Sequence, residues 1–387
     1  LNQPVQPRAS GSPTDQSHPS RQRRDEFAAS LLGWFAANAR DLPWRHHRTP
    51  YRIWVAEVML QQTQVTTVAG YYERFLDSFP TVDALAEASL EDVLKLWEGL
   101  GYYARARHLH EAARHVVNTR AGQLPRQFAE LRKLPGIGAY TAGAIASIAF
   151  DERVPAVDGN ARRVLCRIFG IRDDVTRSAT KRNLDEIATH LLPDRDVGVF
   201  NEALIELGAT VCTARSPSCQ NCPLRRLCRA FHEGEQEILP VRRPRRKTPH
   251  YDVAAAVTLR EDGAVLVAQR EVDDMLGGLW EFPGGKCDDG ESLTDCLMRE
   301  MEEELDVIVK VGRRLTVVEH AYTHFRITLH AFFCHLSQGE PRCLECAQFR
   351  WVQPSDLDQL PMSVADRKIA RTLRQALQRG VDHHPPG

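Results

Sequence analysis

From about Asp25 to Leu239 apolar residues recur at spacings of three and four, as in Leu85, Val93, Leu94 and Trp97, and alternating β-branched runs are few. That period belongs to amphipathic helices, so this stretch reads as all-α. The pattern breaks at Pro240. Residues 240–250 hold three prolines and five basic side chains between Arg242 and Lys247, a composition that stops helices and favours a solvated interdomain linker. Beyond it Tyr251–Leu259 and Ala264–Gln269 predict two strands around the turn Glu261-Asp262-Gly263. Leu293–Leu305 predicts an amphipathic helix, and Arg326–Cys334 and Ala347–Val352 predict further strands. The expected organisation is a disordered tail over 1–24, an all-α domain over 25–239, the linker, and an α+β domain over 251–380.

Charge sharpens this division. The 387 residues carry a formal net charge of -1. Residues 1–250 nevertheless hold 35 Lys and Arg against 28 Asp and Glu, whereas residues 251–387 hold 15 against 23. A basic half and an acidic half cancel, and the basic half suits a polyanionic partner. No run of eighteen apolar residues occurs, and the polar N-terminus ends in Arg21, Arg23 and Arg24. The expectation is a soluble, cytoplasmic protein with no membrane contact.

Four of the ten cysteines, Cys212, Cys219, Cys222 and Cys228, fall within seventeen residues. Four thiolates so close can converge on zinc or on an iron–sulfur cluster, and a single C-x-x-C flanked by gaps of six and five is not the usual zinc pattern. Arg215, Arg225, Arg226 and Arg229 around them suit phosphate contacts. The separate pair Cys343-x-x-Cys346 has no second pair nearby and reads as ordinary thiols.

Leu134-Pro135-Gly136-Ile137-Gly138 forms a turn with two glycines ahead of a helix over Thr141–Phe150, a place where exposed backbone N–H groups can hold a phosphate without reading bases. Asp158, in Val157-Asp158-Gly159-Asn160, reads from its own context as a helix-capping or turn aspartate. Glu57 sits in the mainly apolar segment Trp54–Val65, where it is either a surface glutamate or a buried general acid of raised pKa.

The cysteine spacing, the glycine hairpin and the aspartate together resemble the endonuclease III superfamily of helix-hairpin-helix DNA glycosylases. Leu42–Arg45, Trp54–Val65 and Trp97–Arg105 narrow the likeness to MutY-type adenine DNA glycosylases, over residues 27–360. This resemblance implies a [4Fe-4S] cluster on the four cysteines and removal of adenine mispaired with 8-oxoguanine or guanine in duplex DNA by a monomeric enzyme of the bacterial nucleoid. Glu57 would protonate adenine at N7, Asp158 would stabilise the sugar cation, and Tyr140 would shape that site, supported by Asn160 and Glu202. Gln62, Thr63, Leu100 and Tyr102 would wedge into the duplex, and Gly136 and Gly138 would hold the backbone. Superfamily members that also cut the backbone carry lysine where this chain has Tyr140, so a monofunctional glycosylase is expected rather than a bifunctional pyrimidine glycosylase/lyase.

Gly285, Glu291, Arg299, Glu300, Glu303 and Glu304 fit the Nudix box, with Asp306 where the box expects glycine. Glu300, Glu303 and Glu304 share one helix face and could hold Mg²⁺ or Mn²⁺. Two readings stand: a lesion-recognition module with inherited carboxylates, and a working hydrolase of an oxidised nucleotide. Leu279–Lys286 and His320–Phe325 fit the MutY type, whose lesion-reading loop would be Tyr322-Thr323-His324, with the Thr323 hydroxyl sensing the lesion. A domain so acidic would meet DNA through that one loop.

Overall fold

The computed structural model describes residues 20–242 and 248–380. Most of the expected tail, and linker residues 243–247, lie outside the described residues. Among the described residues twelve α-helices precede the linker: α1 (Arg21–Asn38), α2 (Pro50–Leu60), α3 (Val65–Ser78), α4 (Val82–Glu87), α5 (Leu90–Trp97), α6 (Ala104–Arg120), α7 (Phe128–Leu131), α8 (Ala139–Phe150), α9 (Gly159–Phe169), α10 (Ser178–Leu191), α11 (Val197–Thr210) and α12 (Arg229–Glu233). Helix α1 starts inside the expected disordered tail, because Ser20 caps it by accepting from Arg23 N–H at 3.3 Å. Among the described residues no helix is long and apolar enough to cross a membrane.

The described residues divide into two compact units that do not follow sequence order: 20–58 with 124–242, and 59–123 with 248–380. In the first, α1 buries Phe27, Leu31 and Phe35, spaced four apart, against Val164, Leu184, Phe200 and Leu207 of α9, α10 and α11. Phe27 and Phe200 meet at 6.0 Å between ring centroids. Each such side chain contributes about 1.5–3 kcal/mol by leaving water.

In the second unit, Leu85, Val93, Leu94 and Trp97 are fully buried, as their spacing predicts. Strands β1 (His250–Thr258), β2 (Val265–Gln269), β3 (Trp280–Glu281), β4 (Ile308–Ala321), β5 (Arg326–Gln338) and β6 (Gln348–Val352), with α13 (Leu293–Leu305) and α14 (Val364–Gln378), complete it. The sheets run β1-β5-β4 and β3-β2-β6. The two strands expected around the Glu261–Gly263 turn therefore enter different sheets, linked at the turn by an isolated bridge between Leu259 and Val265 and by Arg260 N–H donating to the Ala264 carbonyl at 2.9 Å. The reason lies in β1, which is buried on both faces from Ala254 to Thr258 and pairs parallel with β5; such strands sit between covering layers. Ala254 and Ala256 pack with Leu297, Met301 and Leu305 of α13, and Ala255 and Val257 with Ile369, Ala370 and Leu373 of α14.

Candidate active site

Helix α2 carries Glu57 among Trp54, Val55, Ala56 and Val58, all 4% exposed or less, and Glu57 itself is buried. Its Oε2 accepts a hydrogen bond from the Tyr140 hydroxyl at 2.8 Å. Burial pushes the Glu57 pKa up to about 7; the Tyr140 bond lowers it, the Glu202 and Asp158 charges raise it, and Arg45 lowers it. A carboxyl poised near neutrality can deliver a proton.

Tyr140 reaches Glu57 because of the glycine hairpin. Gly136 has φ +70°, a left-handed conformation that disfavours any side chain. Gly138 then caps α8, which begins at Ala139 rather than at the expected Thr141. The earlier start puts Tyr140 in the first turn. No atom lies within 4 Å of where a Gly138 side chain would begin, so a backbone or phosphate can approach there.

Asp158 occupies the helix-capping position that its sequence context predicts. It caps α9, accepting from Ala161 N–H at 2.7 Å on Oδ1 and from Asn160 Nδ2 at 2.9 Å on Oδ2. Burial raises its pKa, while the bonds from Ala161 and Asn160 and the charge of Arg163 lower it. Arg163 extends the chain: it donates to Asn160 Oδ1 at 2.7 Å, to the Cys212 carbonyl at 2.7 Å and to the Gly208 carbonyl at 2.6 Å. One turn later Arg167 donates to the Thr213 carbonyl at 2.7 Å and to Cys212 Sγ at 3.2 Å. A single helix thus ties the aspartate to the cysteine loop. Glu202 is buried and held by Arg48 at 2.8 Å and Arg45 at 3.4 Å. Nothing in the sequence marks Arg48 or Arg163, because an arginine in a basic half is unremarkable until its partner is located.

Cys212, Cys219, Cys222 and Cys228 line one small cavity with Ile168, Leu207 and Phe231. Their sulfurs do not gather closely enough to form a single-ion group among the described residues, as expected of thiols that surround a larger cluster. Four thiols, an apolar wall and Arg167 at Cys212 fit an iron–sulfur group. Of the arginines expected to meet phosphate, Arg225 bonds Gln220 and Arg229 bonds Glu233.

The other expected DNA contacts lie in the second unit. Gln62 is exposed and left-handed at φ +57°. Tyr102 is also left-handed, at φ +51°, and is 41% exposed, whereas Leu100 is buried. Arg105 organises both loops. Its guanidinium donates to the carbonyls of Met59 at 2.8 Å, Gln61 at 2.6 Å and Gly101 at 2.9 Å, and to Thr63 Oγ1 at 3.1 Å. It lies 5.3 Å from the ring centroids of both Trp97 and Tyr102. Burial lowers its pKa to about 10, which leaves it charged at neutral pH. The Tyr102 and Thr323 hydroxyls lie 2.6 Å apart. Tyr322 packs against Phe325 at 4.8 Å and His320 at 4.6 Å, while Thr323 and His324 remain exposed.

In the Nudix box Arg299 bonds Glu291, Glu300 and Glu303, and Glu304 accepts from Gly284 N–H at 3.1 Å. A Cβ at Gly285 would collide with the Glu300 carboxylate, so this glycine makes room for it. Asp306, in place of glycine, takes φ +58° and ends α13 through its N–H to the Glu302 and Met301 carbonyls; aspartate tolerates this conformation and replaces the glycine stop. A cavity of about 450 Å³ opens beside Glu300, Glu304, Glu281 and Asp366, walled by Tyr251, Tyr322 and Phe325.

Comparison with known proteins agrees with this arrangement. Residues 55–190 match the HhH-GPD superfamily of base excision DNA repair proteins, 212–228 the iron-sulfur binding domain of endonuclease III, and 254–372 the NUDIX domain. The adenine DNA glycosylase of Rattus norvegicus is 36% identical over 90% of this chain and 78% of its own length. The chain belongs to the adenine DNA glycosylase family. The Homo sapiens member is 36% identical over 90% of this chain and 74% of its own length. A thermostable thymine-DNA glycosylase structure shares 29% identity at a TM-score of 0.50, covering 55% of this chain and 99% of that one. The protein is therefore a DNA N-glycosylase of base excision repair that carries an iron–sulfur cluster and a C-terminal Nudix domain.

Proposed function

We propose that this glycosylase excises adenine paired with 8-oxoguanine, and more slowly adenine paired with guanine, from duplex DNA. The observation that carries this reading is the pair Glu57 and Asp158, two carboxyls whose surroundings separate their roles. Glu57 is buried with one neutral hydroxyl donor and a pKa of about 7; Asp158 has a helix N-terminal amide and an Asn160 amide directed at its oxygens. Burial raises the pKa of both, and the extra donors on Asp158 support Glu57 as the acid and Asp158 as the anion. Neutral Glu57 gives its proton to adenine N7, which makes the base a better leaving group. The glycosidic bond breaks, and ionised Asp158 offsets the positive charge that builds on the sugar. Tyr140 orients Glu57. Because lysine is absent from this position, no Schiff base forms and water completes the reaction, which makes the enzyme monofunctional. A [4Fe-4S] cluster on Cys212, Cys219, Cys222 and Cys228 braces the loop that Arg163 and Arg167 grip. Gln62, Thr63, Leu100 and Tyr102 replace the stacking lost when adenine leaves the duplex, and Tyr322, Thr323 and His324 read the opposite lesion.

Single-turnover cleavage of duplexes carrying A opposite 8-oxoguanine, G or T tests this. The expected order is 8-oxoguanine fastest, G slower and T negligible; no excision from the first duplex overturns the reading.

The cavity beside Glu300 and Glu304 favours a second activity in the same chain: hydrolysis of an oxidised nucleoside triphosphate, with Glu300, Glu303 and Glu304 holding Mg²⁺ or Mn²⁺. Glu303→Gln is then expected to abolish pyrophosphate release and leave adenine excision intact. No pyrophosphate release by the wild type would leave this domain a lesion reader only.

A further inference from the structure

We propose that Cys343 and Cys346 form a reversible redox pair that closes to an intramolecular disulfide by exchange with a low-molecular-weight disulfide. Their sulfurs lie 2.7 Å apart, closer than unbonded sulfurs rest and within a small side-chain rotation of bonding. The backbone on both sides holds them there. Arg342 N–H donates to the Leu305 carbonyl at 2.9 Å, Leu344 N–H to the Glu304 carbonyl at 2.9 Å, and Ala347 N–H to the Gln269 carbonyl at 2.9 Å. The short loop is thus pinned to the end of α13 and to β2, and the two thiols cannot drift apart as they would in a free chain.

A metal is the other use of a C-x-x-C pair, and the surroundings do not supply one. Among the described residues no third His, Cys or carboxylate completes a ligand group with these two sulfurs; the group that does form is Cys287, Glu291 and Cys296. The two thiols also differ in access. Cys343 is half-buried, whereas Cys346 is buried and lines the cavity beside Glu304 and Glu345. Burial, then the Cys343 bond and the Glu304 and Glu271 charges, push the Cys346 thiol up, so it stays protonated until its partner is activated.

Cys343, the accessible sulfur, attacks the small disulfide as a thiolate and expels one small thiolate, forming a mixed disulfide. Cys346 gives up its proton, attacks the Cys343 sulfur and expels the second. Two electrons pass from the protein dithiol to the small disulfide, which leaves as two thiols. The reverse sequence, with the small thiol as reductant, reopens the pair.

The test uses the cluster-loaded, full-length protein under anaerobic conditions, equilibrated with glutathione buffers from fully reduced to fully oxidised, then alkylated and digested with trypsin. Cleavage after Arg342 and Arg350 leaves both cysteines, and no other, in the peptide Cys343–Arg350. In reduced buffer this peptide is expected to carry two alkyl groups. In oxidised buffer it is expected to carry none and to weigh two hydrogens less than the unlabelled dithiol; returning the sample to reduced buffer restores both labels. Cys346→Ser is expected to trap a single glutathione adduct on Cys343. Two alkyl groups at every ratio, or a disulfide forming at Cys287 and Cys296 while this pair stays labelled, overturns the proposal.

Discussion

The hydroxyl groups of Tyr102 and Thr323 share a hydrogen bond of 2.6 Å across 221 residues of sequence. One belongs to the loop assigned to the duplex wedge, the other to the loop assigned to lesion reading, and both lie in the same compact unit. Arg105 stacks beneath the Tyr102 ring. The two loops proposed to meet DNA are therefore joined at this bond, although the chain runs through most of the first unit between them.

Thr323→Val keeps the side-chain shape and removes that bond. The preference for adenine opposite 8-oxoguanine over adenine opposite guanine is expected to fall about three- to tenfold, from a hydrogen bond of about 1 kcal/mol. Single-turnover rates on the two duplexes measure it; an unchanged ratio removes Thr323 from lesion reading.

With Glu57 as the proposed acid, excision is expected to fall about tenfold per pH unit above about 7. Stability follows the same group. Its folded pKa of about 7 exceeds the ordinary 4.5, so its contribution is fully present below 4.5 and is lost as pH rises through 7. Glu57→Gln is expected to abolish excision and yet to raise stability at pH 8 by about 2–3 kcal/mol, with little change at pH 4.5. Thermal melts at the two pH values check the sign.

Tyr140→Phe removes the bond that pulls the Glu57 pKa down. The fall in excision is expected to move about one pH unit higher, as loss of a bond worth about 1–1.5 kcal/mol implies. A pH–rate profile that loses amplitude without moving would show that Tyr140 fills space and does not tune the acid.

Arg163→Ala cuts the link between Asn160 and the Cys212 carbonyl. Excision is expected to slow about tenfold through a less ordered Asp158, with the cluster's visible absorbance retained. Cys222→Ser is expected to lose that absorbance as well. Equal loss of absorbance in both variants would make Arg163 a cluster brace alone.

Removing the Arg105 side chain leaves several buried carbonyls without their donor. Arg105→Ala is expected to cost about 3 kcal/mol of stability and to abolish the fluorescence change of 2-aminopurine placed at the flipped position. Arg105→Lys, with one point charge for a planar fork, is expected to recover stability more than flipping.

By itself the sequence determined the helical half, the α+β half and the cysteine loop. Helix periodicity, glycine turns and thiol spacing are local properties that short segments carry with them. It also marked Glu57 and Asp158 as candidates, but left each with a structural alternative, because a surface charge or a helix cap asks for the same residue types as catalysis; Tyr140 entered through the family resemblance alone. Tertiary structure decided what distance along the chain hides. Strands β1 and β2 entered separate sheets because β1 needs cover on both faces. Strand β4, with its register shifts near Arg314, gave no clean alternation to read. Burial around Glu57, the Arg163 link and the Tyr102–Thr323 bond exist only once remote segments pack. A pKa, a buried partner or a shared surface depends on the field and volume that the folded neighbours create, and no residue brings these with it.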